Sequence, residues 1–187
     1  MAYIGLTKPT VAKLDESGGT PEYTDGFACG KAIEMSITPN YAEGSLYADN
    51  EKAEYDKEFS YAEVTLNTST LPIEAHKIMF GHTTDEEENT IVDKSADESN
   101  YVGLGIYVRE KVNGVRKYIA MWIHKVKFTE SEESYKTKGD AIEYQTPSIT
   151  GQAIAISTGE WRERKICDTE QEAKDWIDEQ AGLKESA

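Results

Sequence analysis

Residues 101–128 have the sequence YVGLGIYVREKVNGVRKYIAMWIHKVKF, and this stretch decides the fold class. Its first part alternates aliphatic residues with glycine and tyrosine, and this period of two predicts a β-strand. Asn113-Gly114 is typical of a two-residue hairpin turn. The return segment, residues 115–128, is apolar on both faces, which favours a central strand covered on each side by a helix or a neighbouring subunit.

Two alternating stretches lie upstream of this hairpin and predict two further strands. One begins near Lys31 and is expected to break at Pro39-Asn40; the other spans roughly residues 54–67. The apolar residues predicted to point into the core are Ile33, Met35 and Ile37 in the first strand and Ala62, Val64 and Leu66 in the second. The polar residues left for the opposite face are Glu34, Ser36, Thr38, Glu63, Thr65 and Asn67.

The segment between these two strands combines acidic and aromatic residues. Residues 43–63 hold seven acids and two bases, and the aromatic residues before Ala62 stand in the opposite phase to the core residues after it. Either a bulge lies there, or the aromatics pack against something outside the domain. A solvated acidic hairpin near 41–58 and a self-association hairpin are both compatible with this pattern. Aromatic side chains favour interfaces, so the candidate contact residues are Tyr41, Tyr47, Tyr55 and Phe59.

The remaining segments complete a mainly β domain with two helices. Residues 1–30 contain the breaker-rich run 17–21 and are expected to be an N-terminal arm, followed by a β-sandwich over residues 31–168. A helix near 71–80 is expected to pack on the sheet and to end at Gly81. Residues 169–187 predict a C-terminal helix and tail, with a capping box at Thr169 and Glu172 and an apolar stripe of Ala173, Trp176 and Ile177.

Charge and composition restrict the classes of function. The chain has 187 residues, 20 Lys+Arg against 35 Asp+Glu and a net charge of −15, which argues against a classical nucleic-acid binder. No apolar run approaches the roughly 20 residues of a membrane span, and the N-terminus does not resemble a secretory signal. Cys29 and Cys167 are interpreted as two buried thiols.

No arrangement of residues in the sequence indicates catalysis. There is no Gly-x-Ser-x-Gly motif, and Gly103-Leu104-Gly105 lacks the third glycine of a dinucleotide-binding motif. His76 and His82 flank a helix end at no standard zinc spacing, and His124 lies on a predicted strand. We therefore expect a protein that is not an enzyme, with no catalytic, cofactor-binding or metal-binding residues.

Three stretches resemble the major tail tube proteins of long-tailed, siphovirus-type phages and prophages of Gram-positive bacteria. They are residues 3–6, residues 33–50, of which 46–50 (LYADN) are the most distinctive, and the 70–81 helix. The resemblance extends from Ala2 to about Thr158 and rests on the residue pattern and on these short stretches of similar sequence.

The resemblance implies a two-sheet β-sandwich with a flanking helix that forms hexameric rings. Rings stack into a tube around a tape measure protein, between tail initiator and tail terminator proteins, and a long hairpin connects one ring to the next. DNA later passes through the lumen without specific binding. The expected location is the virion tail, assembled in the cytoplasm of a bacterial host, with no membrane partner.

Two rival hypotheses stand beside this one. A monomeric β-sandwich carbohydrate-binding or adhesion module would present an exposed aromatic platform. An enzyme whose site is not visible in the sequence is the other. The size of the purified protein separates rings or tubes from a monomeric binding module.

Overall fold

The computed structural model describes residues 2–48, 51–85, 87–112, 114–130, 137 and 146–183. For residues 2–4, 46–48, 51–54 and 112 it describes the backbone only. The strands are β1 (Ala2–Asp15), β2 (Glu22–Ala28), β3 (Ala32–Ala48), β4 (Glu51–Thr68), β5 (Thr83–Asp85), β6 (Thr90–Val92), β7 (Tyr101–Val112), β8 (Val115–Thr129), β9 (Ser148–Ile154) and β10 (Arg162–Cys167). The helices are α1 (Ile73–Ala75), which continues into a π-helical turn (His76–Phe80), and α2 (Glu170–Gln180). The sequence also predicts a short strand near residues 141–144, and this segment lies outside the described residues.

The architecture is a large antiparallel sheet with short helices, which confirms the mainly β prediction. The strand order is β2-β1-β7-β8-β9-β4-β3, while β10 also pairs with β8. The early part of β8 pairs with β10 over residues 118–123, and its last part pairs with β9 over 125–129. Strand β8 is therefore the centre of the sheet, as its two-sided apolar sequence predicted.

The two faces of β8 belong to two buried clusters. Ile123, Val126 and Phe128 lie in the larger cluster, together with residues of β4, β7, β9 and the π-helical turn. Ala120 and Trp122 lie in the second cluster, beneath α2. Cys29 is buried in the first cluster and Cys167 in the second, so both cysteines are buried thiols within separate parts of the core.

The glycines of Gly103-Leu104-Gly105 serve packing rather than nucleotide binding. A Cβ atom on Gly103 would lie 2.3 Å from the Trp122 ring, and one on Gly105 would lie 2.7 Å from both Trp122 and Ile177. Real Cβ contacts are not this short, so larger residues here would displace Trp122 or α2. The two glycines let the indole and the helix lie directly on β7.

The prediction of an N-terminal arm is wrong for the two segments that form strands. Strand β1 pairs with β7 along most of its length and with β2 on its other side. Val11 and Ala12 are fully buried. The breaker-rich residues 17–21 form the connection between β1 and β2 instead of a flexible linker.

The prediction that Pro39-Asn40 ends a strand is also wrong, because β3 runs through it. Proline has no N–H to donate, and it is tolerated here because β3 is an edge strand. Of the two interpretations of the neighbouring phase change, the structure shows the bulge. Asn40 is opposite Tyr61 and Tyr41 is opposite Phe59, so Ser60 is an extra residue in β4. The bulge brings Phe59 onto the same face as Ala62.

Both predicted helices are present, with the expected boundaries. Gly81 ends the first helical segment in the left-handed conformation, at φ 77°. In α2, the Thr169 hydroxyl accepts a hydrogen bond from the Glu172 N–H, and Ala173, Trp176 and Ile177 are buried as predicted. Within the described part of the chain, no helix combines the length and apolarity needed to cross a membrane.

Candidate functional surfaces

The six polar residues predicted to share a face do lie together. Glu34 is opposite Asn67, Ser36 is opposite Thr65, and Thr38 is opposite Glu63 in the β3–β4 ladder. Directly opposite residues project from the same side of a sheet, so these pairs form one continuous surface. The side-chain amide of Asn67 donates to the Glu34 carboxylate at 3.4 Å. Glu34, Ser36, Thr38 and Glu63 are exposed, whereas Thr65 and Asn67 are half-buried.

Strand β9 extends this polar face by three residues that the sequence alone did not assign. Ser148, Thr150 and Gln152 are opposite Asn67, Thr65 and Glu63 respectively. The polar face, defined here as these nine residues of β3, β4 and β9, contains two carboxylates and no lysine or arginine. Its chemistry is that of a hydroxyl-rich, weakly acidic surface.

A concave region of about 440 Å³ lies where the polar face meets β8. Its lining includes Glu63, Gln152, Tyr101 and Lys127. The ammonium groups of Lys125 and Lys127 lie 4.7 and 5.4 Å from the centre of the Tyr101 ring. These lysines interact with the ring on which a sugar would have to stack.

The β3–β4 hairpin carries a row of aromatic and charged side chains on one face. The Tyr41 and Phe59 rings meet edge to face at 6.1 Å, and Phe59 stacks on Trp161 at 4.6 Å. Lys57 lies 2.8 Å from the Glu43 carboxylate and 4.6 Å from the centre of the Tyr41 ring. The row thus runs from the hairpin towards the start of β10.

The four aromatic residues predicted to contact a neighbouring ring differ in their solvent exposure. Tyr41 and Tyr55 are 46% and 49% exposed. Phe59 is half-buried against Trp161 and the core, so it is less accessible to a neighbouring subunit than Tyr41 and Tyr55. Tyr47 lies opposite Lys52 in the ladder, and its side chain is outside the described part of the structure.

An open apolar groove of about 570 Å³ lies between β3 and the strands β1, β7, β8 and β10. The apolar residues that line it include Leu6, Ile33, Met35, Ile37, Ile106, Val108, Ile119 and Met121. Arg162 and Arg164 of β10 lie at the same groove. Partial burial and the nearby Arg164 charge lower the pKa of the Arg162 guanidinium. Arginine side chains nevertheless keep their positive charge in proteins.

Because the groove is open, the apolar residues of the first predicted strand are less buried than predicted. Met35 and Ile37 are only half-buried, and Ile33 is 53% exposed. Their face of β3 was identified correctly, but the core is not closed opposite them. Ile166 of β10 is 66% exposed as well. Large aliphatic side chains are therefore exposed on both β3 and β10.

Among the described residues, one group could hold a metal ion. It consists of His76, His82 and Glu130, which the sequence spacing did not reveal because Glu130 is distant in the chain. His82 is buried and hydrogen-bonds through its ring nitrogens to Asp97 and Glu130. Burial lowers the pKa of His82, but these two carboxylates outweigh it and raise the pKa above its usual value.

No protein-family model matches the chain, and a search of curated proteins gives no match.

Proposed function

We propose that this chain is a non-enzymatic structural protein that assembles into stacked hexameric rings, forming the tail tube of a long-tailed phage. The observation that carries the proposal is the pair of edge strands β3 and β10, which lie beside an open apolar groove and carry opposite charge. The number of subunits in a ring and the phage context come from the sequence resemblance.

The charges of the two edge strands favour a head-to-tail contact. Strand β3 has two acids and no base, a net charge of 0 − 2 = −2. Strand β10 has three bases and one acid, a net charge of 3 − 1 = +2, within a chain of net charge −15. Opposite charges on the two sides of one groove orient a neighbouring subunit that enters it, and a contact between this groove and a different surface of the neighbour generates a ring when the rotation closes.

Exposed aliphatic side chains would strengthen the same contact. Ile33 and Ile166 are more than half exposed, on β3 and β10 respectively. Burying a side chain of this size contributes on the order of 1.5–3 kcal/mol. A neighbouring subunit that covered the groove could also pair with the free N–H and C=O groups of β3, a 17-residue edge strand. Such an edge is otherwise open to unwanted pairing with other chains.

The polar face suits the wall of a channel for DNA. Its nine residues offer carboxylates, amides and hydroxyls and make no cationic contact with phosphates. The adjoining lysine of β8, Lys127 opposite Gln152, lies 5.4 Å from the centre of the Tyr101 ring. A ring of six chains would carry six times −15, or −90. The expected partners are further copies of this chain, a tape measure protein, and tail initiator and terminator proteins, in a virion tail assembled in the bacterial cytoplasm.

The proposal is tested by the assembly state of purified protein with Ile33 unchanged or replaced by arginine. We expect the parent chain to form rings or tubes, seen by negative-stain electron microscopy, and Ile33→Arg to remain monomeric by light scattering. Ile33 is already half exposed, so the melting temperature of the monomer should change little. The matched control is Val92→Arg, because Val92 is 50% exposed but lies on β6, outside the large sheet.

A parent chain that stays monomeric even with tail initiator proteins would contradict the proposal. Assembly by Ile33→Arg equal to that of the parent and the control would show that the groove is not the contact. These two results separate a wrong function from a wrong interface.

The distal part of the hairpin is expected to gain protection on assembly. Among the described residues, residues 51–61 of β4 pair only with β3, whereas residues 62–67 also pair with β9. Residues 43–58 should exchange their amide hydrogens rapidly in the free subunit and slowly in the tube, because stacking orders them. Hydrogen exchange followed by mass spectrometry measures this, with residues 62–67 as the internal reference. Equal protection of residues 43–58 in both states would show that they do not connect rings.

The alternative function is a monomeric carbohydrate-binding or adhesion module. The concave region beside Tyr101 is the observation in its favour. The two lysines near the Tyr101 ring weigh against it. A monomer under all assembly conditions that binds a glycan, and loses binding in Tyr101→Ala, would support this alternative.

A further inference from the structure

Two histidines and a glutamate from distant parts of the chain meet at one end of the sheet. His76 begins the π-helical turn, His82 follows Gly81, and Glu130 comes directly after β8. One possible ligand atom of each residue lies within 4.8 Å of the other two. Metal ligation needs such convergence, since each donor must come within about 2.0–2.2 Å of one ion.

The backbone between the two histidines fixes their spacing. The N–H of His82 donates to the carbonyl of His76 at 3.0 Å, and Gly81 provides the left-handed turn between them. The two imidazole rings consequently lie 5.9 Å apart. A Cβ on residue 81 would lie 2.4 Å from the Glu98 carbonyl oxygen, so this turn requires glycine. Single π-helical turns of this kind are frequent at functional sites.

The ring of His82 is held in the orientation that a metal ligand needs. Its side chain is 5% exposed, and its Nδ1 lies 2.9 Å from the Asp97 carboxylate. That carboxylate is itself fixed by the backbone N–H of Lys94 at 2.8 Å. A histidine that donates one ring N–H to a carboxylate presents the other nitrogen, here Nε2, as a ligand. Nε2 faces Glu130.

The donor set selects the kind of ion. Imidazole nitrogens suit zinc and other transition metals, whereas calcium and magnesium prefer oxygen ligands. Two histidines and one glutamate, with a fourth position left for water or another ligand, form a common zinc set. The ion would take the place of the hydrogen that now joins His82 to Glu130.

We propose that His76, His82 and Glu130 bind one zinc ion, with Asp97 as a positioning residue that orients His82. The ion would join the first helical segment, the loop that contains Asp97 and the end of β8. None of the three residues lines the groove, so the site goes beyond the function proposed above.

Zinc binding is measured on protein without a histidine tag, by competition with a chelator of known zinc affinity and by elemental analysis after dialysis. We expect one zinc ion per chain and a higher melting temperature with zinc than with a chelator. Cobalt(II) should replace zinc and give visible absorption bands of a low-coordinate site. Asp97→Asn should weaken zinc binding about 10–100-fold, the effect usual for a residue that orients a ligand.

His76→Ala is the decisive variant, because His76 is only half-buried and its loss should leave the fold intact. We expect it to weaken zinc binding by at least the same factor, and Glu130→Gln to do likewise. The matched control is Glu74→Ala, which removes an exposed carboxylate from the preceding turn and should bind zinc like the parent. A parent chain without bound zinc, or a His76→Ala variant that binds as tightly as the parent, would overturn the proposal. In either case His82 would act only as the centre of an ion-pair cluster.

Discussion

Replacing Trp176 with alanine is expected to lower the free energy of unfolding by about 3–5 kcal/mol, the usual range for a buried tryptophan. Trp176 is 8% exposed and belongs to the cluster beneath α2, together with Tyr107, Trp122 and Cys167. Its removal would leave a cavity between the helix and the sheet that the neighbouring backbone can fill only partly. Urea unfolding of the variant and the parent, followed by fluorescence and circular dichroism, measures the difference.

The polar contacts of α2 contribute less than this apolar contact. The Tyr107 hydroxyl donates to Glu170 at 2.8 Å, and Lys8 pairs with Asp178 at 2.7 Å. Both groups of the Lys8–Asp178 pair are about a quarter exposed, and ion pairs near the surface typically contribute only about 0–1 kcal/mol. The helix is therefore held mainly by its apolar stripe.

Gln171→Ala is the matched control for Trp176→Ala, because Gln171 lies on the exposed side of the same helix. Its unfolding free energy should stay within about 0.5 kcal/mol of the parent. An unfolding curve for Trp176→Ala that overlays the parent would show that α2 is peripheral to the fold.

The features predicted correctly from the sequence are those encoded by neighbouring residues. The capping box at Thr169, the stripe of α2 and the glycine that ends the first helix all depend on spacings of a few residues. The β7–β8 hairpin was equally local, because its turn and both strands are contiguous in the sequence. Short-range patterns of this kind act before any tertiary contact forms.

The N-terminal strand escaped prediction because its pattern is interrupted. Gly5 and Lys8 have positive φ angles of 79° and 52°, and the pairing of β1 with β7 shifts between Ile4 and Leu6 and again between Thr7 and Thr10. Each shift changes which side chains face the core, so no single period runs through residues 2–15. Only the partner strand, about a hundred residues away, shows where β1 belongs.

The candidate surfaces likewise combine features that the sequence predicts with features that only the folded chain shows. Alternation within β3 and β4 was enough to assign six polar residues to one face. It did not reveal that Ile33 lies at an open groove, because exposure depends on what the opposite layer leaves unfilled. The basic charge of β10 near β3 and the meeting of Glu130 with two histidines are likewise properties of the folded chain. Such juxtapositions require the tertiary structure.

The second large effect is expected for charge-reversing substitutions on the polar face, which is proposed to line the lumen. Glu34→Lys combined with Glu63→Lys is expected to slow DNA ejection from phage whose tail carries the substituted chain. Both carboxylates are exposed on the polar face, so the variant should fold and still form tubes. Each ring of six would change by six times +4, or +24 charges, on the surface proposed to face the DNA.

The salt dependence identifies the mechanism. Lysines that contact phosphates release counterions, and such binding weakens steeply as the salt concentration rises. Ejection should therefore be slowed strongly at about 50 mM salt and much less at about 200 mM, a range over which phosphate contacts lose most of their affinity. The measurement is the rate of DNA release at both salt concentrations, with tube formation checked by electron microscopy.

A matched control separates the position of the charges from their number. Glu87→Lys with Glu88→Lys makes the same charge change at two exposed residues between β5 and β6, away from the polar face. This control should eject DNA like the parent at both salt concentrations. Equal slowing by the two double variants would assign the effect to net charge alone. If tubes form and ejection by the Glu34 and Glu63 variant is unchanged, the polar face does not line the path of the DNA, because cations placed along that path would bind the passing phosphates.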